Sequence, residues 1–505
     1  MVRPEELDEH LITENDDLKK KKKKVKKPWN PHGTARKFGS PMSGCDSPMI
    51  LVNETFNFLS QYHAESGVDF VIWTGDNARH DLDPAVPRTE AEVYSLNELV
   101  AKLVSNTFPG IPLIPSLGNN DLPFHNSLPY QPDGSSPTLN FYVKLWSKFI
   151  PEDQHDTFRK GGYYVSSVAP GLSVVALNTL YLWSSNDVVP DCTSSKTAGG
   201  VHLKWLENVL KDARESGMTV YLSGHVPPNE LQYYPTCYKW FSSIATEYSD
   251  VIAGQFYGHV NLDHFFFPLE LEDSDDQRLA ISLIKSDTPV SDYFDMMQGR
   301  HIRKNAVHDE LLTSLLQVPA WDVSITGRNS PSWLRLYATY LLHQYDRVCN
   351  IKEPAGHPAV VLVSPSVTPA YNPSLRIYFY EPQSTSTSSQ QHVMKTSKPS
   401  YTLINFTQYF VNLTRGFIDD GDEGGDDIRI KPLFEEEYSS HVYGIVGADN
   451  RDWIELSGRL TGNNKKHDAD GVSFAETKSE AKKLQDLYFG FFTVSSGVNM
   501  DSGGS

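Results

Sequence analysis

Four short apolar runs in this chain end in the same way, and that repetition constrains the fold more than any other feature of its 505 residues. Phe70-Val-Ile-Trp73 breaks at Thr74-Gly75 and delivers Asp76. Ile111-Pro-Leu-Ile-Pro-Ser-Leu117 runs into Gly118 and Asn119. Met218-Thr-Val-Tyr-Leu-Ser223 opens into Gly224 and His225, and Val251-Ile-Ala-Gly-Gln-Phe-Tyr257 into Gly258 and His259. Apolar runs of this length, bounded by glycine, read as buried strands. The glycine lets the backbone turn tightly, so the next side chain is delivered at the carboxyl edge of a sheet, where α/β folds keep their chemistry. One Gly-Asp after a strand reads as an ordinary solvated turn. Four such turns in order point into one shared space.

The segments between these runs carry helical periodicity. Helices are expected over Asn53–Gly67, Glu90–Phe108 and Val201–Ser216, with further strands over Leu172–Asn178, Ala359–Pro365 and Leu375–Tyr380. Strands alternating with helices argue for an α/β architecture. Residues 1–40 are polar with a lysine run at their centre and read as a solvated, disordered segment. The main domain is expected over 41–382, with an insertion at about 270–350 that looks helical around Trp333–Tyr345. A Ser/Thr/Gln-rich stretch at 383–400 reads as a flexible linker. The C-terminal region, 401–505, holds a strand over Tyr401–Leu413, an acidic loop at Gly421–Asp427 and a helix over Ala475–Leu487.

A net charge of −18 means that the molecule as a whole repels nucleic acid and other polyanions. Attraction to such a substrate has to be local, built from metal ions or from cations such as Arg79, Lys144 or Lys37. For Arg79 an ion pair with a neighbouring acid is the competing reading. Four cysteines, Cys45, Cys192, Cys237 and Cys349, allow three pairings between which the sequence does not choose. Sequons at Asn53, Asn405 and Asn412 fit a chain that enters the secretory pathway. Yet the sequence has no long apolar run and its first residues carry no signal-peptide core.

Asp, Asn and His together suit Mn, Zn, Co or Mg rather than a thiolate site, and no cysteine sits in the four turns. Two such cations a few ångströms apart would clamp a phosphoryl group and stabilise its leaving oxygen.

The order Gly-Asp, Gly-Asn-x-Asp, Gly-His, Gly-His resembles the calcineurin-like metallophosphoesterases. Thr74-Gly-Asp-Asn-Ala-Arg-His-Asp81, Gly118-Asn-Asn-Asp121, Gly224-His-Val-Pro-Pro228, Gly258-His-Val-Asn-Leu-Asp-His264 and Val363-Ser-Pro-Ser-Val-Thr-Pro-Ala-Tyr-Asn-Pro373 narrow the resemblance to the fungal endopolyphosphatase family, relatives of the acid sphingomyelinases. The resemblance covers roughly residues 40–380. It implies a four-layer α/β/β/α sandwich, two divalent metal ions, hydrolysis of internal phosphoanhydride bonds of inorganic polyphosphate, glycosylation, a membrane anchor and a vacuolar location. By position, Asp76 would bridge both metals, and Asn119, His225 and His259 would complete the second. Asn261 stands where the superfamily places a histidine ligand of the first metal. Asn120 stands where it places a histidine that assists the leaving group. An amide cannot shuttle a proton, so the general acid falls to His80, His125 or His264, each weighed against a purely structural role.

The superfamily also opens with an apolar strand ending in Asp-x-His. Asp8-Glu-His10 matches those letters, but only seven residues precede it and they form no apolar strand. The match is read as coincidental. The expectation is that the first strand, the anchor and the first metal motif are missing from this chain, which leaves the first site with Asp76 and Asn261 and leaves an open slot beside Phe70–Trp73. Two other functions compete with polyphosphate hydrolysis: a sphingomyelinase-like phosphodiesterase, and a non-catalytic protein that binds metal or polyanions.

Overall fold

The computed structural model describes residues 36–41, 45–81, 86–269, 331–351, 356–382, 400–413, 434–463, 466–467, 473–474 and 477–496. The lysine run, the acidic loop, the linker at 383–399 and most of the expected insertion lie outside these residues.

Helix α1, Met49–Ser66, starts four residues before the expected Asn53. Pro48 has the extended geometry of a cap, and its carbonyl accepts the N–H groups of Leu51 and Val52. Gly67 closes the helix with φ 76°, a left-handed value that glycine adopts without cost. Helix α2, Glu90–Thr107, is capped by the Thr89 hydroxyl, which accepts from Glu92 N, and carries Glu90 and Glu92 in its first turn. Both helices lie over strands β1, Val71–Trp73, and β2, Leu113–Pro115. Phe56 and Leu59 of α1, Val104 of α2, and Val71, Trp73 and Leu113 share one apolar cluster. The two strands pair in parallel with Val71 opposite Leu113 and Trp73 opposite Pro115. Among the described residues β2 is the strand partner of β1, and its second edge meets no described strand.

The main sheet has six strands in the order β3-β4-β5-β6-β8-β7. Its members are β3 Tyr164–Ala169, β4 Leu172–Ala176, β5 Thr219–Ser223, β6 Ile252–Tyr257, β7 His264–Phe266 and β8 Val361–Val363. Strands β4, β5, β6 and β8 run parallel, and antiparallel β3 and β7 close the edges. A third, antiparallel sheet, β11-β10-β9, is formed by β9 Ser374–Tyr380, β10 Leu403–Phe410 and β11 Glu435–Ser439. Phe70 beside β1 meets Tyr221 of β5, and Tyr378 of β9 meets Phe256 of β6. The two smaller sheets therefore lie on one face of the main sheet. Side chains alternate along β5, leaving Val220 and Leu222 for the opposite face, where α5, Ala198–Glu215, packs against β5 and α6, Pro235–Glu247. The layers run α/β/β/α.

Two boundaries drawn from sequence cross structural units. Strand β9 lies before the linker and β10 after it, yet they pair in register from Leu403 opposite Tyr380 to Phe410 opposite Ser374. The helical look around Trp333–Tyr345 becomes helix α7, Pro331–Cys349. Its Leu334, Leu341 and Tyr345 are buried in the main core, and it packs against α8, Asn450–Thr461, which meets α9, Lys478–Phe492. One disulfide joins Cys192 to Cys237, while Cys45 and Cys349 are not disulfide-bonded.

Candidate metal centre

The parallel strands all end at one edge, and there the four expected turns meet. The turns after β1 and β2 fit only because both carry glycine. A Cβ on Gly75 would stand 2.4 Å from the backbone nitrogen of Gly118, and one on Gly118 would stand 2.2 Å from Asp76 N. Asp76, His259 and Asn261 are held at φ 62°, 65° and 59°. Left-handed geometry in non-glycine residues is strain of the kind that gathers at functional sites.

Four side chains converge. His225 Nε2 lies 2.9 Å from Asn119 Oδ1, 3.1 Å from His259 Nδ1 and 3.1 Å from Asp76 Oδ2. His259 Nδ1 is 3.0 Å from the same Asn119 oxygen. Donors held about 2.1 Å from one common ion stand roughly 3.0–3.4 Å apart, so the spacing fits a shared cation. The tautomer is favourable as well. His225 Nδ1 faces the Thr74 carbonyl at 2.7 Å. A carbonyl only accepts, so Nδ1 carries the proton and Nε2 is left as the ligand atom. Asn119 donates its amide nitrogen to Asn126 Oδ1 at 3.0 Å, which turns Oδ1 toward the two histidines.

The electrostatics ask for positive charge. Burial works against the Asp76 carboxylate, but the hydrogen-bonded His225, with His80 and His259, brings its pKa well below the usual range. Burial works against protonation of His225, and Asp76 outweighs it, so that pKa is raised. A proton and a divalent cation compete for the same Nε2.

Behind these ligands stands Asp121, the last residue of the Gly118-Asn-Asn-Asp121 motif. Its Oδ2 accepts from Asp76 N at 2.8 Å and Gly118 N at 2.9 Å, and its Oδ1 from Asn77 N at 2.7 Å. One buried carboxylate thus ties the β1 turn to the β2 turn. Burial first, and Asp76 second, push its pKa up. Asn120 donates both its backbone N–H, at 2.8 Å, and its Nδ2, at 2.9 Å, to the Asp76 carboxylate.

The other expected residues divide. His80 is gripped by Asp46, whose Oδ1 lies 2.7 Å from His80 Nδ1 and whose Oδ2 accepts His80 N at 3.2 Å. It also lies within electrostatic reach of Asp76. Asp46 is 34 residues away, and no local pattern marks the pair. His125 is exposed on the loop beside Asn126. His264 is a correction: it is buried on β7, with Nδ1 at Leu262 O and Nε2 2.9 Å from the Tyr337 hydroxyl, so it faces core rather than the centre. Arg79 is also a correction. Its Nε and Nη2 donate to the two carboxylate oxygens of Glu92, at 2.7 and 3.0 Å, which makes it a structural ion pair between the β1 turn and α2. Asn261 is half-buried two residues past His259. Lys144 and Lys37 are exposed. Of the sequons, Asn53 is exposed on α1, Asn405 lies within β10 with Nδ2 3.0 Å from His441 Nε2, and Asn412 is half-buried. The second grouping of possible ligands, Asp191, Cys192 and Cys237, contains the disulfide and offers no thiolate.

Comparison with known proteins agrees with this geometry. Residues 51–262 match the calcineurin-like phosphoesterase family, a span that includes Asp76, Asn119, His225, His259 and Asn261. An endopolyphosphatase of Candida glabrata is 34% identical over 374 residues, covering 68% of this chain and 55% of the relative. One of Kluyveromyces lactis is 32% identical over 402 residues, covering 74% and 54%. One of Saccharomyces cerevisiae is 42% identical over 252 residues, covering 47% and 36%. The chain thus spans about half the length, or less, of the curated relatives it matches. Its fold is the α/β fold expected, and its residues 51–262 are similar to the calcineurin-like phosphoesterase domain, which implies divalent-metal binding, with fungal endopolyphosphatases among the chain's relatives.

Proposed function

We propose that this chain is a metal-dependent hydrolase that cuts phosphoanhydride bonds inside inorganic polyphosphate. The observation that carries the reading is the convergence of Asp76, Asn119, His225 and His259 on one point, in a chain whose relatives are named endopolyphosphatases. A divalent cation held there supplies Lewis-acid chemistry, polarising phosphoryl oxygens and offsetting the charge of a polyanion that the rest of this acidic chain repels.

The protein's own residues orient and move protons. Asn120 fixes the Asp76 carboxylate through two hydrogen bonds and, being an amide, gives up no proton. His80 is the best-placed group for protonating the leaving oxygen. Asp46 orients its ring, as a carboxylate orients the base of a catalytic pair, and His80 sits within electrostatic reach of Asp76. Among the described residues the first metal site is assigned Asp76 and Asn261. A second reading is a protein that binds metal and polyanion with little turnover. Vacuolar location and glycosylation belong to the same proposal, with Asn53 as the most accessible acceptor.

The test incubates the chain and Mn2+ with long-chain polyphosphate, and separately with a choline-phosphodiester lipid. Progressive shortening of the former on a gel, with the lipid intact, is the expected result. Cleavage of the lipid alone contradicts the reading, and binding without shortening moves it to the non-catalytic alternative. The location part fails if the chain expressed in a yeast cell resists glycosidase treatment and does not enrich with vacuoles.

A further inference from the structure

Arg88 lies just ahead of α2, where nothing in the sequence drew attention to it. Its side chain spans both turns that build the centre. Nη1 donates to the carbonyl of Arg79 at 3.0 Å and to that of Asn120 at 2.5 Å, and Nη2 donates to the carbonyl of Leu122 at 3.1 Å. Arg79 belongs to the β1 turn, and Asn120 and Leu122 to the β2 turn that carries Asn119. Among the described residues no carboxylate pairs with this guanidinium, in contrast to Arg79, which Glu92 neutralises. The charge instead lies within electrostatic reach of Asp81, Asp76 and Asp121. Asn120, whose carbonyl Arg88 holds, is the residue that donates twice to Asp76.

We propose that Arg88 is a positioning residue of the centre: a planar guanidinium that locks the Asn119–Asn120 turn against the Asp76 turn while balancing the charge of half-buried Asp76 and buried Asp121. Planarity matters because three carbonyls from two loops are met by donors in one rigid plane. A lysine ammonium is a point charge with three rotatable donors and cannot fix the same three carbonyls. The role is second to the ligands, since Arg88 touches no ligand side chain and acts on Asn119 and Asp76 through Asn120. Supports of this kind change metal affinity by roughly 10–100-fold when removed. The inference rests on the metal-centre reading for its functional consequence, but not for its structural one.

Two variants of the full chain test it, Arg88→Lys and Arg88→Gln, with Mn2+ titration by calorimetry, hydrogen exchange across 118–124, and kcat and KM on polyphosphate. Expected results are a Mn2+ Kd raised roughly tenfold or more, faster exchange at 118–124 with unchanged exchange in the middle of α2, and a fall in kcat larger than any change in KM. Lys is expected to recover thermal stability better than it recovers Mn2+ affinity, which a merely structural arginine would not show. Exchange at 118–124 equal to wild type in both variants overturns the role of Arg88. Loss of thermal stability with unaltered Mn2+ Kd overturns it as well. Failure of the wild-type chain itself to bind Mn2+ overturns the metal-centre reading, and the exchange result still decides the clamp.

Discussion

The carboxylate of Asp121 accepts the backbone N–H of Asp76 at 2.8 Å, so the residue at the heart of the centre is aimed by a buried acid 45 positions away. The same carboxylate accepts Gly118 N and Asn77 N. With Ala78 N at 3.3 Å this carboxyl group accepts four backbone donors, and it is replaceable only at a cost.

Asp121→Asn removes the charge and turns an N–H2 toward donors that need an acceptor. The expected loss is about 2–3 kcal/mol of stability for buried N–H groups left unpaired, with weaker Mn2+ binding because both turns loosen. Chemical denaturation with and without Mn2+ checks it. A variant as stable as wild type would contradict the orienting role.

Acid should destabilise the fold. His202 is buried against the face of Tyr163 with neither ring nitrogen hydrogen-bonded, and burial pushes its pKa down to about 3. Burial takes His264 to about 3 as well. In the unfolded chain each takes up a proton near pH 6.5. Between pH 6.5 and 3 the unfolded state therefore binds more protons, and stability that is complete above about 6.5 is lost as pH falls, by up to about 1.4 kcal/mol per pH unit for each histidine. Urea midpoints at pH 7, 5.5 and 4.5 should decline, and His202→Phe should flatten the decline. Parallel slopes in the two proteins would count against the assignment.

The Cys192–Cys237 bond closes a separation of 45 residues and pins the start of α6 to the loop ahead of α5. In the chain-entropy account a loop of that length is worth about 3–4 kcal/mol. Cys192→Ala with Cys237→Ala should lower the denaturation midpoint accordingly, yet leave Mn2+ affinity near wild type, because neither cysteine reaches the ligand set.

Arg79 supplies a control. Its partner is Glu92, so Arg79→Lys should shift thermal stability slightly and leave KM for polyphosphate unchanged. A several-fold rise in KM would restore Arg79 as a substrate contact.

Much of the centre was legible because each strand end carries its own donor behind its own glycine. Asp76, Asn119, His225 and His259 need no knowledge of distant residues to be found. What escaped was everything that depends on pairing across the chain. Asp46 meets His80 over 34 positions, Asp121 meets Asp76 over 45, and Arg88 acts on main-chain carbonyls that leave no mark on side-chain identity. His264 misled because its motif places it near His259 in sequence, while the antiparallel turn into β7 carries it into the core. The expected helices were legible to within a few residues, with α1 starting early because Pro48 can cap it, whereas α6, Pro235–Glu247, was not expected. The role of 331–349 was hidden, since its partner α8 lies a hundred residues further on.

The account turns on whether Asp76, Asn119, His225 and His259 hold a metal ion. Metal analysis and Mn2+ calorimetry on the full chain, beside His225→Ala and His259→Ala, test that directly. The account predicts a tightly held ion at these four residues, lost in both variants while each remains folded. No tightly held ion in the wild-type chain, or binding that survives both substitutions, would contradict it.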